Sequence, residues 1–302
     1  MTDSAIANAA MKPDEDLCDP AYLKIRNVIY QNSGIYHPDE KLYLLASRCA
    51  RRMRALEANT PAEYLELLTL RENRAEELRL LLNEITIGET YMFRSPAQLE
   101  ALRSVILPQI LEAKSARGFK RFRFWSAGCS TGEEPYTLAM FLLEEGARLL
   151  AGCTFDILAT DLNDNSLEAA KAGIYGEYAL RNTSEHLRRK YFKPHDDKRV
   201  RVSDQLKSLV RFDRVNLLDD GKMAALSGVD LIFCCNVLIY FDLTSKRKVI
   251  EHFHTNLLPG GYLFLGHSES LYQVDDRFRL VHFPKAVAYW KPPAGYAGRG
   301  KP

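Results

Sequence analysis

A glycine-bearing turn followed at once by two acidic residues is the part of this chain best suited to bind a ligand. The strand-like run Arg121–Ala127 leads into the turn 128–132, and a helix-like run extends from Thr137 to Leu143. Strand, glycine turn and helix in this order form the first unit of a nucleotide-binding α/β sheet. The glycines allow the backbone to approach a ligand, and the first turn of the helix offers N–H groups that have no partner within the helix.

The two acids that follow the turn, Glu133 and Glu134, narrow the choice of ligand. Their charge would repel a pyrophosphate, whereas it would attract an ammonium or sulfonium group, and their oxygens accept hydrogen bonds from sugar hydroxyls. The turn therefore favours S-adenosylmethionine over NAD or ATP. An alternative stays open, in which both acids only stabilise the N-terminus of their helix through its dipole.

Another acid, Asp161, ends the strand-like run Phe155–Asp161. An acid at the end of the second strand is placed to bind both hydroxyls of a ribose. Its separation from Gly132 exceeds the usual ~20 residues, and the long helix predicted over Pro135–Leu150 accounts for the difference. The alternative role for Asp161 is a simple helix cap.

The composition limits the classes of function. The chain has 302 residues, of which 46% are hydrophobic and 26% charged, and its net charge of +2 gives no general case for nucleic-acid binding. The six cysteines include no C-x-x-C pair, which indicates reduced thiols in the cytoplasm and predicts neither disulfides nor a metal site. We recognise no signal peptide, and apolar runs such as Leu231–Tyr240 are too short to cross a bilayer.

The N-terminal part has the periodicity of helices. After an expected mobile tail of residues 1–20, no strand-like pattern occurs up to residue 83, so we expect a small all-helical domain. One helix places Leu42, Leu45, Cys49, Met53 and Leu56 on one side, and Arg48, Arg51 and Arg54 on nearly the opposite side, flanked by Lys41 and Arg52. The arginines form either a solvated surface or a docking face for an acidic partner. The lack of an acid before Glu57 favours docking.

Further elements follow from local patterns. Two capping boxes, Thr60–Glu63 and Ser95–Gln98, each open a helix, and the second helix extends to about Glu112. The continuous apolar run Val229–Val237 is typical of a central parallel strand. A last strand is predicted over Val287–Trp290.

A segment of the second half, at about residues 174–209, is longer than an α/β crossover requires. We expect an inserted subdomain there, with strands at Lys198–Ser203 and Leu206–Arg211. This insert is basic, and its cationic residues are Arg188, Arg189, Lys190, Lys193, Lys198, Arg199 and Arg201.

A set of motifs occurs in a fixed order along the chain. They are Thr90-x-x-Phe93-Arg94, Trp125-Ser126-Ala127-x-x-Ser130-Thr131-Gly132-Glu133-Glu134-Pro135-Tyr136, Ala159-Thr160-Asp161, Asn216-Leu217, Phe233-Cys234-x-Asn236-Val237-Leu238-Ile239-Tyr240-Phe241 and Gly260-Gly261-Tyr262-Leu263-x-Leu265-Gly266-His267-Ser268-Glu269-Ser270. Each motif alone is weak. The ordered set, which covers roughly residues 20–290, resembles the CheR family, the chemoreceptor glutamate methyltransferases of bacterial chemotaxis.

The resemblance implies an α/β fold with a class I S-adenosylmethionine-dependent, Rossmann-like methyltransferase domain over residues 89–292. A helical receptor-docking domain would occupy residues 21–88, the insert would be a β-subdomain, and residues 293–302 would be a tail. The implied reaction transfers a methyl group from S-adenosylmethionine to glutamate side chains on chemoreceptor cytoplasmic helices. Its products would be the glutamate γ-methyl ester and S-adenosylhomocysteine.

The resemblance also implies roles for individual residues. The expected cofactor contacts are Thr90, Arg94, Glu133, Glu134, Asp161, Asn216, Leu217, Asn236 and Val237. Arg94 and Tyr240 match positions near the reacting methyl group and are the candidate catalytic residues. Arg48, Arg51 and Arg54 match a basic helix face that docks on the receptor.

The chemistry of this reaction needs few protein groups. Glutamate has a reference pKa of ~4.3, so the nucleophile is ionised at neutral pH and no general base is required. The protein must mainly align the carboxylate with the methyl group. Arg94 is expected to orient the carboxylate or contact the cofactor, and Tyr240 to donate a hydrogen bond or orient the methyl group. A core position is the alternative for Tyr240.

The chain departs from the family pattern at three places. Gly88 stands where Asn is common, so one cofactor contact is expected to be lost or made by water, and Cys235 stands where Arg is usual. The turn within residues 192–198 carries no Gly-Gly pair. Family members that tether to a receptor's C-terminal pentapeptide tend to have a longer loop with glycines there. We therefore expect this protein to act without such a tether.

Two other functions remain as alternatives. A methyltransferase that flips a base out of nucleic acid would carry Asn/Asp-Pro-Pro-Tyr/Phe after the fourth strand, whereas residues 236–240 contain no proline. A non-catalytic scaffold that binds S-adenosylmethionine and a receptor is the second alternative. We expect a cytoplasmic monomer without nucleic-acid partners or membrane insertion.

Overall fold

The computed structural model describes residues 19–86, 88–116, 118–146 and 151–296. The expected N-terminal tail lies outside these residues except for its last two positions, and most of the expected C-terminal tail lies outside them as well. The chain divides into two compact units between Ile85 and Thr86. No helix in the described ranges is long and apolar enough to cross a membrane.

The described part of the first unit is built from α-helices and a short 3₁₀ helix, Asp39–Lys41. Its helices are α1 (Pro20–Ser33), α2 (Leu42–Ala55), α3 (Pro61–Thr69) and α4 (Arg74–Ile85). The capping box before α3 is confirmed, because Thr60 Oγ1 accepts the N–H of Glu63 at 3.2 Å. Its reciprocal bond reaches one residue further back than usual, from the Asn59 N–H to Glu63 Oε2 at 2.7 Å.

The apolar side of α2 is buried over Leu45, Cys49 and Met53, whereas Leu56 is 38% exposed. Arg52 does not flank an exposed stripe as expected from the sequence. Its guanidinium donates to both oxygens of Glu77 at 3.0 and 2.7 Å, in the interior of the unit. Tyr64 donates a further hydrogen bond to Glu77 at 2.7 Å, so the buried carboxylate is well compensated.

The second unit is built on a seven-stranded sheet of order β6-β2-β1-β7-β8-β10-β9. Its strands are β1 (Arg121–Ala127), β2 (Thr154–Asp161), β6 (Val210–Arg214), β7 (Val229–Cys234), β8 (Leu257–Leu265), β9 (Arg279–Phe283) and β10 (Ala286–Trp290). The neighbours from β6 to β8 pair in parallel, whereas β10 pairs antiparallel with β8 and β9. This arrangement confirms the α/β class.

Burial along the strands follows their place in the sheet. Every residue of β7 is buried, which confirms the central strand predicted from the apolar run Val229–Val237. The sequence analysis did not predict the edge strand β9. Its residues are exposed or half-buried, so it lacks the apolar alternation that marks a strand packed on a core.

Most helices of this unit precede or connect strands of the seven-stranded sheet. The helices are α5 (Pro96–Ala101), α6 (Leu107–Ser115), α7 (Glu133–Gly146), α8 (Asp164–Ala172), α9 (Glu177–Leu180), α10 (Glu185–Tyr191), α11 (Asp204–Lys207), α12 (Asp220–Ala224) and α13 (Leu243–Asn256). Of these, α9 and α10 lie within the insert. Burial on the two faces of the sheet produces two hydrophobic clusters, one around Phe124 and Tyr136 and the other around Trp125 and Phe253.

The second capping-box prediction is wrong. The Ser95 side chain makes no capping bond, and Gln98 is buried and donates through Nε2 to the carbonyl of Leu265 at 2.7 Å. The helix nevertheless continues to Ser115 through a π-helical stretch, Leu102–Ile106. This wider turn precedes Pro108, which has no N–H and whose ring would press on the carbonyl four residues earlier.

The insert contains a small antiparallel sheet of order β3-β5-β4, with β3 at Ile174–Gly176, β4 at Phe192–Pro194 and β5 at Arg199–Val202. The alternating run Lys198–Ser203 thus contains a strand. The run Leu206–Arg211 does not form a second strand of the insert, because Ser203 caps α11 and Val210 begins β6 of the main sheet.

Candidate active site

The candidate residues of the second unit gather at one edge of its parallel sheet. Strands β1, β2, β7 and β8 end there at Ala127, Asp161, Cys234 and Leu265. Ligands of open α/β sheets bind outside the carboxyl ends of the strands. The loops that follow these four strands therefore form the walls of the candidate site.

The glycine turn lies directly against the loop after β7. Gly128 has a φ of +78°, and its N–H donates to the carbonyl of Thr160 at 2.8 Å. A Cβ atom at this position would clash with a methyl group of Val237, one of the expected cofactor residues. Only glycine satisfies both the left-handed backbone and this close approach.

Asp161 joins the loop after β2 to the glycine turn. Its Oδ2 accepts the N–H of Ser130 at 2.7 Å, and its Oδ1 accepts the N–H of Asn163 at 2.9 Å. The N-cap of α8 is Asn163, which accepts the N–H of Ser166, so Asp161 is not the cap of this helix. A carboxylate has about four lone-pair sites, so Asp161 retains acceptor capacity for the hydroxyls of a ribose.

The two acids at the start of α7 point to different hydroxyl groups. Glu133 Oε2 accepts from Thr131 Oγ1 and Glu134 Oε1 accepts from Ser126 Oγ, both at 2.6 Å. Burial raises the pKa of Glu133. Burial also raises the pKa of Glu134 to about 7, against the opposing effect of its hydrogen bonds and of the Arg94 charge.

Glu269 shapes the loop after β7 and had no role assigned from the sequence. Its Oε2 accepts the N–H groups of Asn236 and Gly266 at 2.7 and 2.6 Å, and its Oε1 accepts the N–H of Ile239 at 3.2 Å. Asn236 has a left-handed φ of +63°. The signal available in the sequence was an acid soon after an apolar strand, the same signal that identified Asp161.

The candidate catalytic residues lie near enough for the charge of Arg94 to act on Tyr240. Tyr240 ends a 3₁₀ turn, Leu238–Tyr240, and is 36% exposed, so it is not a core aromatic. Burial raises the pKa of its hydroxyl, and the nearby charge of Arg94 lowers it. Arg94 is exposed and donates through Nη1 to the carbonyl of Glu89 at 2.9 Å.

Three further expected cofactor residues occupy the margins of the site. Asn216 and Leu217 follow β6, the strand next to β2, and Asn216 Oδ1 accepts the N–H of Leu218 at 3.1 Å. Leu217 is buried. Thr90 is half-buried and precedes Arg94 by four residues.

Two of the departures from the family pattern, Gly88 and Cys235, have local consequences at this site. A Cβ atom at Gly88 would clash with Ser130 Oγ, which is buried and has no hydrogen-bond partner within the described residues. A side chain at position 88 therefore requires the Ser130 hydroxyl to rotate. Cys235 donates a weak hydrogen bond to Gln98 Oε1 at 3.6 Å, and its thiol also lies within hydrogen-bonding reach of Glu134.

The chemistry of this edge fits S-adenosylmethionine. The ionised forms of Glu134 and Asp161 are disfavoured by burial, so a ligand that brings a positive charge and hydroxyl donors relieves both. The buried Ser130 hydroxyl provides another polar group at the same place. In the described part of the chain, no group of three or more His, Cys, Asp or Glu side chains is arranged to hold a metal ion.

The expected docking arginines belong to the helical unit. Arg54 is exposed, Arg48 is half-buried, and Arg51 is exposed and forms an ion pair with Glu84 at 3.3 Å. The three residues therefore differ in the charge that they present to solvent. Arg54 is exposed and forms no ion pair with another described residue, whereas Arg51 shares its charge with Glu84.

Comparisons with known proteins give the family. The model of the CheR methyltransferase SAM-binding domain matches residues 88–287, and that of the CheR methyltransferase all-alpha domain matches residues 20–86. Chemotaxis protein methyltransferase 2 of Vibrio cholerae is 34% identical over 92% of this chain and 95% of its own length. Chemotaxis protein methyltransferase 1 of Pseudomonas aeruginosa is 35% identical over 87% and 95% of the two chains.

A third relative, the chemotaxis protein methyltransferase of Borreliella burgdorferi, is 34% identical over 82% of this chain and 87% of its own length. The matches thus span both units, including the edge where Glu134 and Asp161 lie. The chain therefore belongs to the CheR family of S-adenosylmethionine-binding methyltransferases.

Proposed function

We propose that this methyltransferase acts on the side-chain carboxylates of specific glutamates in the cytoplasmic helices of chemoreceptors. The products are glutamate γ-methyl ester and S-adenosylhomocysteine. The observation that carries the proposal is the pairing of half-buried acids, Glu134 and Asp161, with the exposed Arg94 and Tyr240 at one edge of the sheet. The acids can bind the positive charge and the hydroxyl groups of the cofactor. The exposed Arg94 and Tyr240 can contact a carboxylate that belongs to another protein.

We assign the cofactor contacts to groups at this edge. The acids bind the ammonium and hydroxyl groups of S-adenosylmethionine, while the loop residues enclose the rest of this molecule. The set consists of Thr90, Arg94, Glu133, Glu134, Asp161, Asn216, Leu217, Asn236 and Val237. When bound, S-adenosylmethionine supplies an electrophilic methyl group on a sulfonium.

The catalytic task of the chain is to align an acceptor that is already ionised. A guanidinium has five N–H donors, and in the described structure Arg94 uses one of them on the Glu89 carbonyl. The others are available to orient one oxygen of the incoming carboxylate. Burial raises the pKa of Tyr240, so its hydroxyl stays protonated and acts as a hydrogen-bond donor.

Docking on the receptor is assigned to the α2 arginines Arg48, Arg51 and Arg54, of which Arg51 and Arg54 are exposed and Arg48 is half-buried. The basic insert is a weaker candidate, because its cations are largely paired with nearby acids. The pairs are Arg188–Glu177, Arg189–Glu185, Lys190–Glu144 and Arg199–Asp196. Exposed pairs of this kind contribute little to stability but reduce the net charge of the surface.

Independence from a pentapeptide tether is part of the same proposal. The connection between β4 and β5 is a short turn, in which Asp196 Oδ1 accepts the N–H groups of Lys198 and Arg199 at 3.0 and 2.9 Å. This turn has no extended loop to enclose a peptide. Titration with a receptor C-terminal pentapeptide should give no saturable binding, and micromolar affinity would refute independence.

One experiment tests the reaction. Methyl-labelled S-adenosylmethionine is incubated with the protein and receptor cytoplasmic fragments, beside fragments whose candidate glutamates are replaced by alanine. We expect label that is lost on mild base treatment and absent from the alanine fragments. Base-stable label or label on added RNA would refute the ester assignment, and cofactor binding without methyl transfer would indicate a scaffold.

Two further measurements test the remaining parts of the proposal. Light scattering of the same sample tests the proposed monomer, and fractionation of cells tests the cytoplasmic location.

A further inference from the structure

The segment Glu89–Arg94, here named the Arg94 loop, carries two of the proposed cofactor contacts and has no regular structure of its own. Its position depends on the segment that begins with α9 of the insert. The N–H of Met92 donates to the carbonyl of Ala179 at 2.9 Å, and Asn182 Nδ2 donates to the carbonyl of Phe93 at 3.4 Å. The insert is thus attached to the loop that presents Arg94.

Arg181 forms the most specific part of this attachment. Its guanidinium carbon lies 3.3 Å from the centroid of the Tyr91 ring and 3.8 Å from the centroid of the Tyr178 ring. Tyr91 belongs to the Arg94 loop and Tyr178 to α9, so one guanidinium bridges two segments. The planar, delocalised group stacks on aromatic rings, which an ammonium cannot reproduce.

A chain of hydrogen bonds leads from this stack to Arg94. Arg181 Nη1 donates to the carbonyl of Tyr178 at 2.6 Å, and the Tyr178 hydroxyl donates to Glu89 Oε1 at 2.8 Å. This last bond raises the pKa of Tyr178. The carbonyl of Glu89 in turn accepts Arg94 Nη1 at 2.9 Å. Both Arg94 and its loop are therefore held by groups that Arg181 fixes.

The loop has a reason to need external support. Phe93 has a φ of +55°, a left-handed conformation that bulky residues rarely adopt. Its N–H is held by Thr137 Oγ1 on α7 at 3.1 Å, and its carbonyl by Asn182. Such a conformation persists only where the surrounding structure imposes it.

We propose that Arg181 is a positioning residue for methyl transfer, which holds the Arg94 loop against the insert and so keeps Arg94 at the edge of the active site. Arg181 itself contacts neither cofactor nor acceptor. This inference rests on the proposed role of Arg94 in that reaction. It gives the insert a task inside the enzyme in addition to any contact with a partner.

The first test compares Arg181→Ala with Arg189→Ala. Arg189 lies on the same insert, is exposed and is paired only with Glu185 among the described residues, so its loss is a matched control. We expect Arg181→Ala to lower kcat/KM for receptor fragments about fivefold, the effect of two exposed cation–π contacts. Arg181→Lys should lose nearly as much because it keeps the charge without the stack. Wild-type kinetics in Arg181→Ala would overturn the proposal.

A double-mutant cycle shows whether Arg181 acts through Arg94. If it does, the double variant Arg94→Ala/Arg181→Ala is no slower than Arg94→Ala alone. Additive losses would mean that Arg181 affects catalysis by another route, and would refute the positioning role.

Hydrogen exchange supplies a readout that needs no methyl acceptor. In Arg181→Ala the amides of Met92 and Phe93 should exchange about fivefold faster while the melting temperature stays the same. Unchanged exchange there, or faster exchange spread over the whole unit, contradicts the proposal. If the wild-type protein fails to methylate receptors, the proposed substrate is wrong, and exchange still decides whether Arg181 holds the loop.

Discussion

The carboxylate of Glu269 accepts the backbone N–H of Asn236 at 2.7 Å, across a separation of 33 residues in the chain. The same oxygen accepts the N–H of Gly266, and a Cβ atom at Gly266 would lie 2.7 Å from this oxygen and 2.9 Å from the Asn236 nitrogen. The loops after β7 and β8 thus share one anchor. Asn236 keeps its left-handed backbone because its N–H has this partner.

Replacing Glu269 by glutamine should weaken cofactor binding. The side chain keeps its size, but one oxygen becomes an NH₂ group that cannot accept a backbone N–H. We expect the free energy of unfolding to fall by about 2 kcal/mol and the Kd for S-adenosylhomocysteine to rise about tenfold as the Asn236 loop shifts. Calorimetric titration and denaturant unfolding measure the two effects.

Glu168→Gln is the control for this change, because Glu168 is exposed and forms only an i,i+3 pair with Lys171 in the described structure. Its stability should stay within about 0.5 kcal/mol of wild type. Wild-type affinity in Glu269→Gln would mean that the carboxylate does not shape the binding loop.

Alanine at Gly128 should weaken cofactor binding, whereas alanine at Gly118 should not. Both glycines have left-handed φ values, +78° and +74°, so both changes carry a similar backbone strain of ~1–2 kcal/mol. Only Gly128 faces Val237, and a Cβ atom at Gly118 would meet nothing within 4 Å. The clash adds about 1–3 kcal/mol, and equal loss of stability and binding in the two variants would disprove the close approach.

The stability of the protein should depend on pH through Glu134. Its folded pKa of about 7 lies above the ~4.3 of an unfolded chain. Between these values the folded protein holds a proton that the unfolded chain lacks, so the free energy of unfolding falls as pH rises and levels off above 7. Glu134→Gln should reduce this dependence of the free energy of unfolding on pH. Glu133, Asp161 and Asp230 contribute in the same direction, because burial also raises their pKa values.

Cofactor affinity should show the opposite trend, because the ammonium group of S-adenosylhomocysteine favours ionised Glu134. The Kd for S-adenosylhomocysteine should fall as pH rises towards 7, and this slope should weaken in Glu134→Gln. Glu144→Gln is the control, since the Lys190 hydrogen bond lowers the pKa of Glu144 and confines its effect to more acidic pH. Equal slopes in wild type and Glu134→Gln would place the titrating group elsewhere.

Alanine substitutions at Arg52 and Arg54 should have different effects: the first should lower stability, and the second should weaken docking on the receptor. Arg52→Ala leaves the Glu77 carboxylate buried without its cation and should cost about 3 kcal/mol of unfolding free energy. Arg54→Ala removes an exposed charge, so its melting temperature should match wild type, while KM for receptor fragments rises at low salt and less at high salt. An unchanged KM at low salt would exclude Arg54 from the docking face.

Much of the site was predictable because its signals are local. The glycine turn, the acids Glu133 and Glu134 and the strand ending in Asp161 follow from residues adjacent in sequence, where steric preference and periodicity decide the structure. The helical N-terminal unit and the central strand Val229–Cys234 were predictable for the same reason. The family resemblance then connected these segments to one cofactor.

The roles of other residues depended on partners that are distant along the chain. Gln98 matched a capping signature, yet its amide bonds Leu265, 167 residues away. The sequence predicted that Arg52 flanks an exposed stripe of arginines, yet its guanidinium donates to the Glu77 carboxylate in the interior of the unit.

The sequence by itself determined the cofactor class, the parallel sheet and the acids at its edge. Tertiary structure decided that Glu269 anchors the loop of Asn236 and that Arg181 ties the insert to Arg94. The physical reason is that local backbone preferences are encoded residue by residue. A polar side chain can bond several possible partners, and its actual partner is decided only when the fold brings one of these groups within hydrogen-bonding distance.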